Sequence, residues 1–167
     1  MPEPRPKTRE ELFAFLNSLG IETETHEHAP VFTVEESKGE RGELDGAHCK
    51  NLFLKDKKGQ LWLVVAHEDR PIDMKELRHK IGAHHLSFGK PDLLMEVLGV
   101  EPGSVTVLAL INDMDARVNV IIDEAIMAEE ILNCHPLINS ATTRIRTADV
   151  LTFVRACGHE PAVRPLD

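Results

Sequence analysis

The hydrophobic pattern of this chain predicts helices with caps at both ends. Apolar residues recur every three or four positions behind a capping box formed by Thr8 and Glu11, and Gly20 supplies the left-handed stop. Thr33 and Glu36 have the same spacing and predict a short second helix. Three further helices are expected at residues 73–82, 92–99 and 147–158, each of which ends at a glycine.

Strands are expected where the apolar runs are short and rich in β-branched residues. Residues 51–55 and 61–66 flank a polar turn and predict a β-hairpin. Residues 105–111 and 118–122 flank a second polar turn and predict a pair of central strands. Because helices and strands alternate irregularly, the expected fold class is α+β. One domain is expected over residues 8–167, behind a flexible lead of residues 1–7.

Composition narrows the classes of function. The 167 residues are 42% hydrophobic and 28% charged with a net charge of −9, which is unlike a protein that binds nucleic acid over a wide area. Three dispersed cysteines and the lack of a long apolar run predict a cytoplasmic protein in a reducing compartment. Positive charge is still concentrated in the middle third, at Lys55, Lys57, Lys58, Arg70, Lys75, Arg78 and Lys80.

Several common catalytic motifs are missing from the sequence. Nine histidines occur without HExxH or CxxC spacing, so no metal and no cofactor is expected. His26 and His28 are interpreted as surface or hydrogen-bonded side chains. Each cysteine has a histidine nearby, but adjacent residues of a strand point to opposite faces and form no dyad. Gly89-Lys90 is followed by proline instead of the Ser or Thr of a P-loop.

Three clusters are less generic, although each also has an ordinary structural explanation. Lys50 and Asn51 precede an apolar run, where a lysine is usually a solvated charge. Residues 99–104 form a tight Gly-Val-Glu-Pro-Gly-Ser loop, which either exposes backbone N–H groups to an anion or is a plain turn. His135 lies between Cys134 and a proline, just before a predicted strand.

In this order, the clusters resemble the bacterial prolyl-tRNA editing proteins, which are free-standing deacylases of the YbaK/ProX type. The resemblance runs from about residue 8 to residue 161, and residues 158–161 are similar to the end of the alanine-editing subgroup. It implies a mixed, strongly curved sheet surrounded by helices. Val107, Leu108 and Cys134 depart from the family pattern at positions that affect the pocket. The stretches that carry the resemblance are residues 50–56, 61–66, 72–75, 86–88, 99–106, 133–137 and 142–143.

The resemblance implies a role for each candidate residue. Lys50 acts as a cationic donor against the terminal adenosine and its ester, and Asn51 is its hydrogen-bonding neighbour. Six further residues are implied in substrate binding. The loop that holds the aminoacyl end contains Gly99, Pro102, Gly103 and Ser104. His135 lines a small side-chain pocket, and Asp123 is the acidic residue near that histidine.

The implied reaction is hydrolysis of the ester between an amino acid and the 3′ end of a tRNA, above all alanine on the proline tRNA. Such an ester needs orientation and oxyanion stabilisation more than a strong nucleophile. The expected partners are a tRNA acceptor end carrying a small amino acid and, as a candidate, prolyl-tRNA synthetase, without DNA or a membrane. Two alternatives stay open: a deacylase for another mischarged tRNA (Cys, Ser or Thr), and a non-catalytic tRNA- or synthetase-binding module.

Overall fold

Helix α1 (Arg9–Ser18) begins at the capping box that the sequence predicts. The Thr8 hydroxyl accepts a hydrogen bond from the Glu11 backbone, and the Glu11 carboxylate accepts one from the Thr8 backbone N–H. The computed structural model describes residues 6–29 and 46–166. The first five residues of the expected lead and the helix predicted at Thr33 therefore lie outside the described residues.

The predicted hairpin is confirmed and lies at the centre of a mixed sheet. Its two strands are antiparallel, with Phe53 opposite Leu63. In the described residues the sheet runs β1-β7-β6-β2-β3-β5-β8, and β4 pairs with β2. The β2–β6, β3–β5 and β5–β8 pairs are parallel. The strands are β1 (Thr23–Glu27), β2 (Ala47–Asp56), β3 (Leu61–His67), β4 (Leu86–Phe88), β5 (Val118–Asp123), β6 (Ile131–Cys134), β7 (Ala141–Arg146) and β8 (Ala162–Arg164).

Caps predicted for two later helices, α2 (Met74–Ile81) and α3 (Pro91–Leu98), are confirmed. The Asp73 carboxylate caps α2, and Gly82 and Gly99 end α2 and α3 with φ of +74° and +65°. These left-handed conformations favour glycine because other residues have a Cβ clash there. The remaining helices are α2 (Met74–Ile81), α3 (Pro91–Leu98), α4 (Glu124–Met127) and α5 (Thr147–Ala156).

The strand predicted at residues 105–111 is wrong. Val107–Asn112 is a 3-10 helix that begins at Thr106, whose hydroxyl accepts a hydrogen bond from the Leu108 backbone. Its four apolar residues from Val107 to Leu110 are all fully buried. A short apolar run that is buried on every side has no periodicity to distinguish strand from helix. The neighbouring β5 is a strand as expected, but it pairs in parallel with β3 and β8 instead.

Two hydrophobic cores lie on opposite faces of the sheet. The first contains Leu63 and Val65 of β3 together with side chains of α1, α3, α5 and the 3-10 helix. The second contains Trp62 and Val64 of β3 together with side chains of α2 and β4. This layering of helices on a mixed sheet confirms the α+β class. Among the described residues, no helix is long and apolar enough to cross a membrane.

Candidate functional site

Lys50 lies on β2, and the alternation of that strand fixes the face to which it belongs. Cys49 and Phe53 pack with the first core, whereas Leu52 and Leu54 pack with the second. Because side chains of a strand alternate between faces, Lys50 shares the face of Leu52. Directly across the ladder, Lys50 is paired with Ala66 of β3, so a small side chain lies next to the base of the Lys50 side chain.

His135 follows β6, which runs parallel to β2. The register pairs Ala47 with Leu132 and His48 with Asn133. Leu132 and Cys134 pack in the first core, so the alternation of β6, continued one residue past its end, predicts that His135 faces the same side as Lys50. The structure thus brings the segments that carry these two residues, 85 positions apart in the sequence, side by side in the sheet.

The neighbourhood of His135 is polar. Its Nδ1 lies 3.2 Å from the Ala141 carbonyl oxygen, so Nδ1 carries the proton and Nε2 keeps a free lone pair. His28, just after β1, has its Nε2 atom 2.8 Å from the hydroxyl of Thr142 on β7. Burial is the main cause that lowers the pKa of His135, the charge of His28 lowers it further, and the Ala141 hydrogen bond opposes both. The imidazole of His135 is therefore neutral at neutral pH.

Asn51 points away from Lys50, to the face of Cys49. Its Nδ2 donates to Cys49 Sγ at 3.6 Å, and the Cys49 thiol donates to the Asn133 carbonyl oxygen at 3.7 Å. The Asn51 Oδ1 atom is buried and has no hydrogen-bond partner among the described residues. Lys50 and Asn51 therefore do not line a common face, although they are neighbours in the sequence.

The thiols of Cys134 and Cys157 are poor nucleophiles. A hydrogen bond with Cys49 and then burial raise the pKa of Cys134 well above its ordinary value. Burial raises the pKa of Cys157 to about 12. Because the thiolate is the reactive form, neither thiol is suited to covalent catalysis. Among the described residues, no group of three or more His, Cys, Asp or Glu side chains could hold a metal ion.

Asp123 is fully buried and its carboxylate is saturated with hydrogen bonds. Oδ2 accepts from the His67 backbone at 3.0 Å and from Arg70 Nε at 2.6 Å, and Oδ1 accepts from the Ala125 backbone at 3.1 Å. Burial alone would raise its pKa, but the bonds from Arg70, His67 and Ala125 outweigh it and hold the pKa of Asp123 below its usual value. Strands β2 and β3 separate Asp123 from β6. Asp123 thus holds the start of α4 and the end of β3.

The loop at residues 99–104 leaves α3 and contains the short 3-10 helix Pro102–Ser104. A Cβ at Gly99 would lie 2.8 Å from both Asn112 Nδ2 and Pro6 Cβ, so only glycine allows this close packing. Asn112 donates to the Leu98 carbonyl oxygen at 2.9 Å, which fixes the start of the loop. Among the described residues, no hydrogen bond joins this loop to Lys50 or His135.

Sequence reasoning overlooked His28, Thr142, His48 and Asn133 as members of this polar face. His28 was interpreted as a surface or hydrogen-bonded side chain, which describes its contacts but not its place beside His135. Its position depends on the pairing of β1 with β7 and of β7 with β6. The β1–β7 pairing joins segments more than 100 residues apart, and no local pattern reports it.

Comparisons of the sequence with known proteins agree on one family. A family model described as "Aminoacyl-tRNA editing domain" matches residues 28–153. The chain is similar to prolyl-tRNA synthetase associated domain-containing protein 1 of Danio rerio, with 42% identity over 95% of this chain and 88% of the relative. It is also similar to the prolyl-tRNA editing protein ProX of Acetoanaerobium sticklandii, with 38% identity over 90% of this chain and 93% of the relative.

Solved structures agree on the fold. One of them, described as a candidate trans-editing enzyme for prolyl-tRNA synthetase, has a TM-score of 0.70 at 17% identity and covers 94% of this chain and 96% of its own. At this identity the likeness establishes the fold alone.

Proposed function

This chain belongs to the aminoacyl-tRNA editing domain family and is an aminoacyl-tRNA deacylase, and we propose that it acts in trans on alanine attached to the proline tRNA. The two relatives described above carry names that refer to prolyl-tRNA synthetase or to prolyl-tRNA editing. We further propose that it acts in the cytoplasm, with prolyl-tRNA synthetase as a candidate partner.

The observation that carries the proposal is the parallel pairing of β2 with β6, from which we infer that Lys50 and His135 face the same side of the sheet. An ester bound against this face meets an ammonium group on β2 and a neutral imidazole beyond β6, with His28 and Thr142 beside it. A cationic donor aimed at the ester carbonyl stabilises the negative charge that develops when water attacks. The Nε2 lone pair of His135 accepts a hydrogen bond from the substrate or from the water.

The remaining candidate residues support this arrangement in different ways. Asn51 holds β2 against β6 through Cys49 and is a positioning residue in the proposal. Asp123 positions the end of β3 next to Ala66, across from Lys50. The loop that contains Gly99, Pro102, Gly103 and Ser104 supplies backbone N–H groups to the aminoacyl end. A hydroxyl of the terminal adenosine helps to position the attacking water, so no protein nucleophile is needed.

Alanine is the proposed amino acid because size alone separates it poorly from proline at a synthetase. A pocket built for the larger residue rejects a smaller one by only about 1–3 kcal/mol, or roughly 10–200-fold. A second site that admits alanine but excludes proline corrects the error by steric exclusion. In the proposal His135 forms the wall that excludes proline.

Deacylation of alanyl-tRNA(Pro) by the wild type and by Lys50→Ala tests the proposal. We expect the variant to lose about 100- to 1,000-fold in kcat, because one donor to the developing oxyanion is removed. Lys58→Ala, which removes an exposed cation at the hairpin tip, is the matched control and keeps the wild-type rate.

Equal rates for the wild type and Lys50→Ala would remove Lys50 from the mechanism. The same assay on tRNAs charged with cysteine, serine or threonine identifies the substrate. Faster hydrolysis of one of these would replace alanine in the proposal, and no hydrolysis of any would favour the binding-module alternative.

A further inference from the structure

A basic groove lies at the end of β2 that is remote from Lys50. It has a volume of about 1020 Å³ and is lined by the β2–β3 turn, α2, β4 and the start of α3. Four cationic side chains reach it from these elements: Lys55, Lys57, Arg78 and Lys90. The sequence showed cations in this region, but only the fold brings these four around one groove.

The positive charge of the groove is not neutralised by its neighbours. Within the described residues, none of the four cations forms an ion pair. Asp56 also lines the groove, but its carboxylate is buried and accepts N–H donors from Lys58, Gln60, Trp62 and His84. Asp92 is the other acidic residue of the lining. The groove therefore carries a net positive charge and attracts anions locally, although the whole chain has a net charge of −9.

An aromatic side chain and a helix terminus complete the lining. Phe88 is 65% exposed, which is unusual for a large apolar side chain. The next residue, Gly89, donates its N–H to the Phe53 carbonyl oxygen at 2.9 Å, which anchors Phe88 and Lys90 beside the groove. The first turn of α3 has no side-chain cap; Pro91 has no N–H, so the uncapped donors there are the backbone N–H groups of Asp92 and Leu93.

We propose that this groove binds the sugar-phosphate backbone of the tRNA acceptor arm, with Phe88 stacked on an exposed base. Unpaired cations neutralise phosphates, and a base stacks on an aromatic ring whatever its sequence. Five residues of extended strand separate Lys50 from Lys55, a span of about 16 Å. That distance is within the length of an acceptor arm, and because the alternation of β2 puts Lys55 on the face opposite to Lys50, the arm has to pass around the end of the hairpin to contact both. The inference rests on the proposed function, since it assigns a second contact of the same substrate.

Binding of an uncharged RNA hairpin that reproduces the proline acceptor arm, with its single-stranded 3′ end, tests the groove without any deacylation. The variant Lys55→Ala/Lys57→Ala/Arg78→Ala/Lys90→Ala is compared with the wild type by fluorescence anisotropy over a salt series. We expect Kd to rise at least tenfold. The slope of log Kd against log salt should fall by about 0.7–0.9 for each contact removed.

Lys58→Ala/Lys75→Ala is the matched control, because both lysines are exposed but neither lines the groove. An unchanged Kd and salt slope in the quadruple variant would overturn the inference, as would an equal loss in the control. Competition by heparin as effective as that by RNA at equal charge would also overturn it, since the groove would then be a general polyanion site.

Phe88 provides an independent readout. Phe88→Ala should weaken RNA binding about 5- to 100-fold, whereas Phe88→Trp should retain binding and show fluorescence quenching when a base stacks on the indole. Wild-type affinity in Phe88→Ala, or an unquenched Phe88→Trp that binds RNA, would remove the stacking part of the inference.

The two proposals fail separately. If Lys50→Ala binds the hairpin normally but no longer deacylates, the groove and the catalytic face are distinct and both proposals stand. If the wild type binds through the groove but hydrolyses no charged tRNA, only the proposed function fails. If the wild type deacylates and the quadruple variant retains its KM, only the groove assignment fails.

Discussion

At the scale of single residues, the neutral imidazole of His135 is the most informative side chain of the candidate site. It is fixed through Nδ1 by the Ala141 carbonyl and is close enough to His28 for the two charges to interact. Burial and this second histidine disfavour its protonation. A neutral, fixed ring both shapes a pocket and presents an acceptor, which suits the selection of a small amino acid.

Replacement of His135 by alanine should relax that selection. His135→Ala enlarges the proposed pocket, so prolyl-tRNA(Pro), which the proposed steric exclusion protects from the wild type, should become a substrate. The measurement is the release of proline from prolyl-tRNA(Pro), with His79→Ala on α2 as the exposed-histidine control. If His135→Ala stays inert toward prolyl-tRNA, His135 does not form the wall of the pocket.

At the scale of elements, close packing of β4 on β2 sets the start of α3. A Cβ at Gly89 would lie 2.3 Å from Phe53 Cδ2, which is closer than any real carbon contact. Phe53 is buried in the first core, so its ring has little room to move away. Only glycine fits at position 89, because the Phe53 ring leaves no room for a Cβ atom there. The path of the chain from Phe88 to Lys90 therefore depends on this glycine.

Gly89→Ala should destabilise the fold by about 1–3 kcal/mol, since an extra carbon in a packed region forces the Phe53 ring to shift. Urea unfolding of Gly89→Ala, Phe53→Leu and the double variant measures the coupling between the two positions. We expect the double variant to lose less stability than the sum of the single losses. Strict additivity would mean that the ring is not the obstacle.

At the scale of the whole molecule, a buried pair ties the carboxyl-terminal segment to the loop before β5. His159 Nε2 lies 2.8 Å from Asp113 Oδ2, and both side chains are at most 2% exposed. Burial alone would raise the pKa of Asp113, but hydrogen bonds from His159, Arg117 and Val118 outweigh it and lower the pKa. The carboxylate therefore stabilises the fold above its ordinary pKa, and this contribution is lost as the pH falls through the lowered value.

Asp113→Asn should lower the free energy of unfolding at pH 7 by about 1–3 kcal/mol, because buried donors lose an acceptor. The difference from the wild type should shrink as the pH falls below about 4. Urea unfolding between pH 3 and pH 7 measures both effects, and Asp115→Asn, two residues away and exposed, is the control. A difference that is constant over this range would contradict the assignment.

The amino-acid sequence alone determined the features that depend on neighbours in the chain. Thr8, Asp73, Gly82 and Gly99 mark helix ends because caps and left-handed stops act within one turn. The hairpin of β2 and β3 is local in the same sense. The ordered clusters around Lys50, residues 99–104 and His135 were also enough to indicate the family.

Tertiary structure decided everything that depends on pairing between distant segments. The parallel pairing of β2 with β6 brings the segments of Lys50 and His135 together, and the alternation of β2 leaves Asn51 on the face opposite to Lys50. Residues 107–112 form a 3-10 helix, and because its apolar residues are buried on every side, the sequence has no periodicity that distinguishes it from a strand. Cations from four elements became one groove only after the chain had folded. In each case the deciding contact joins residues far apart in the chain, and its free energy comes from packing that local propensity does not encode.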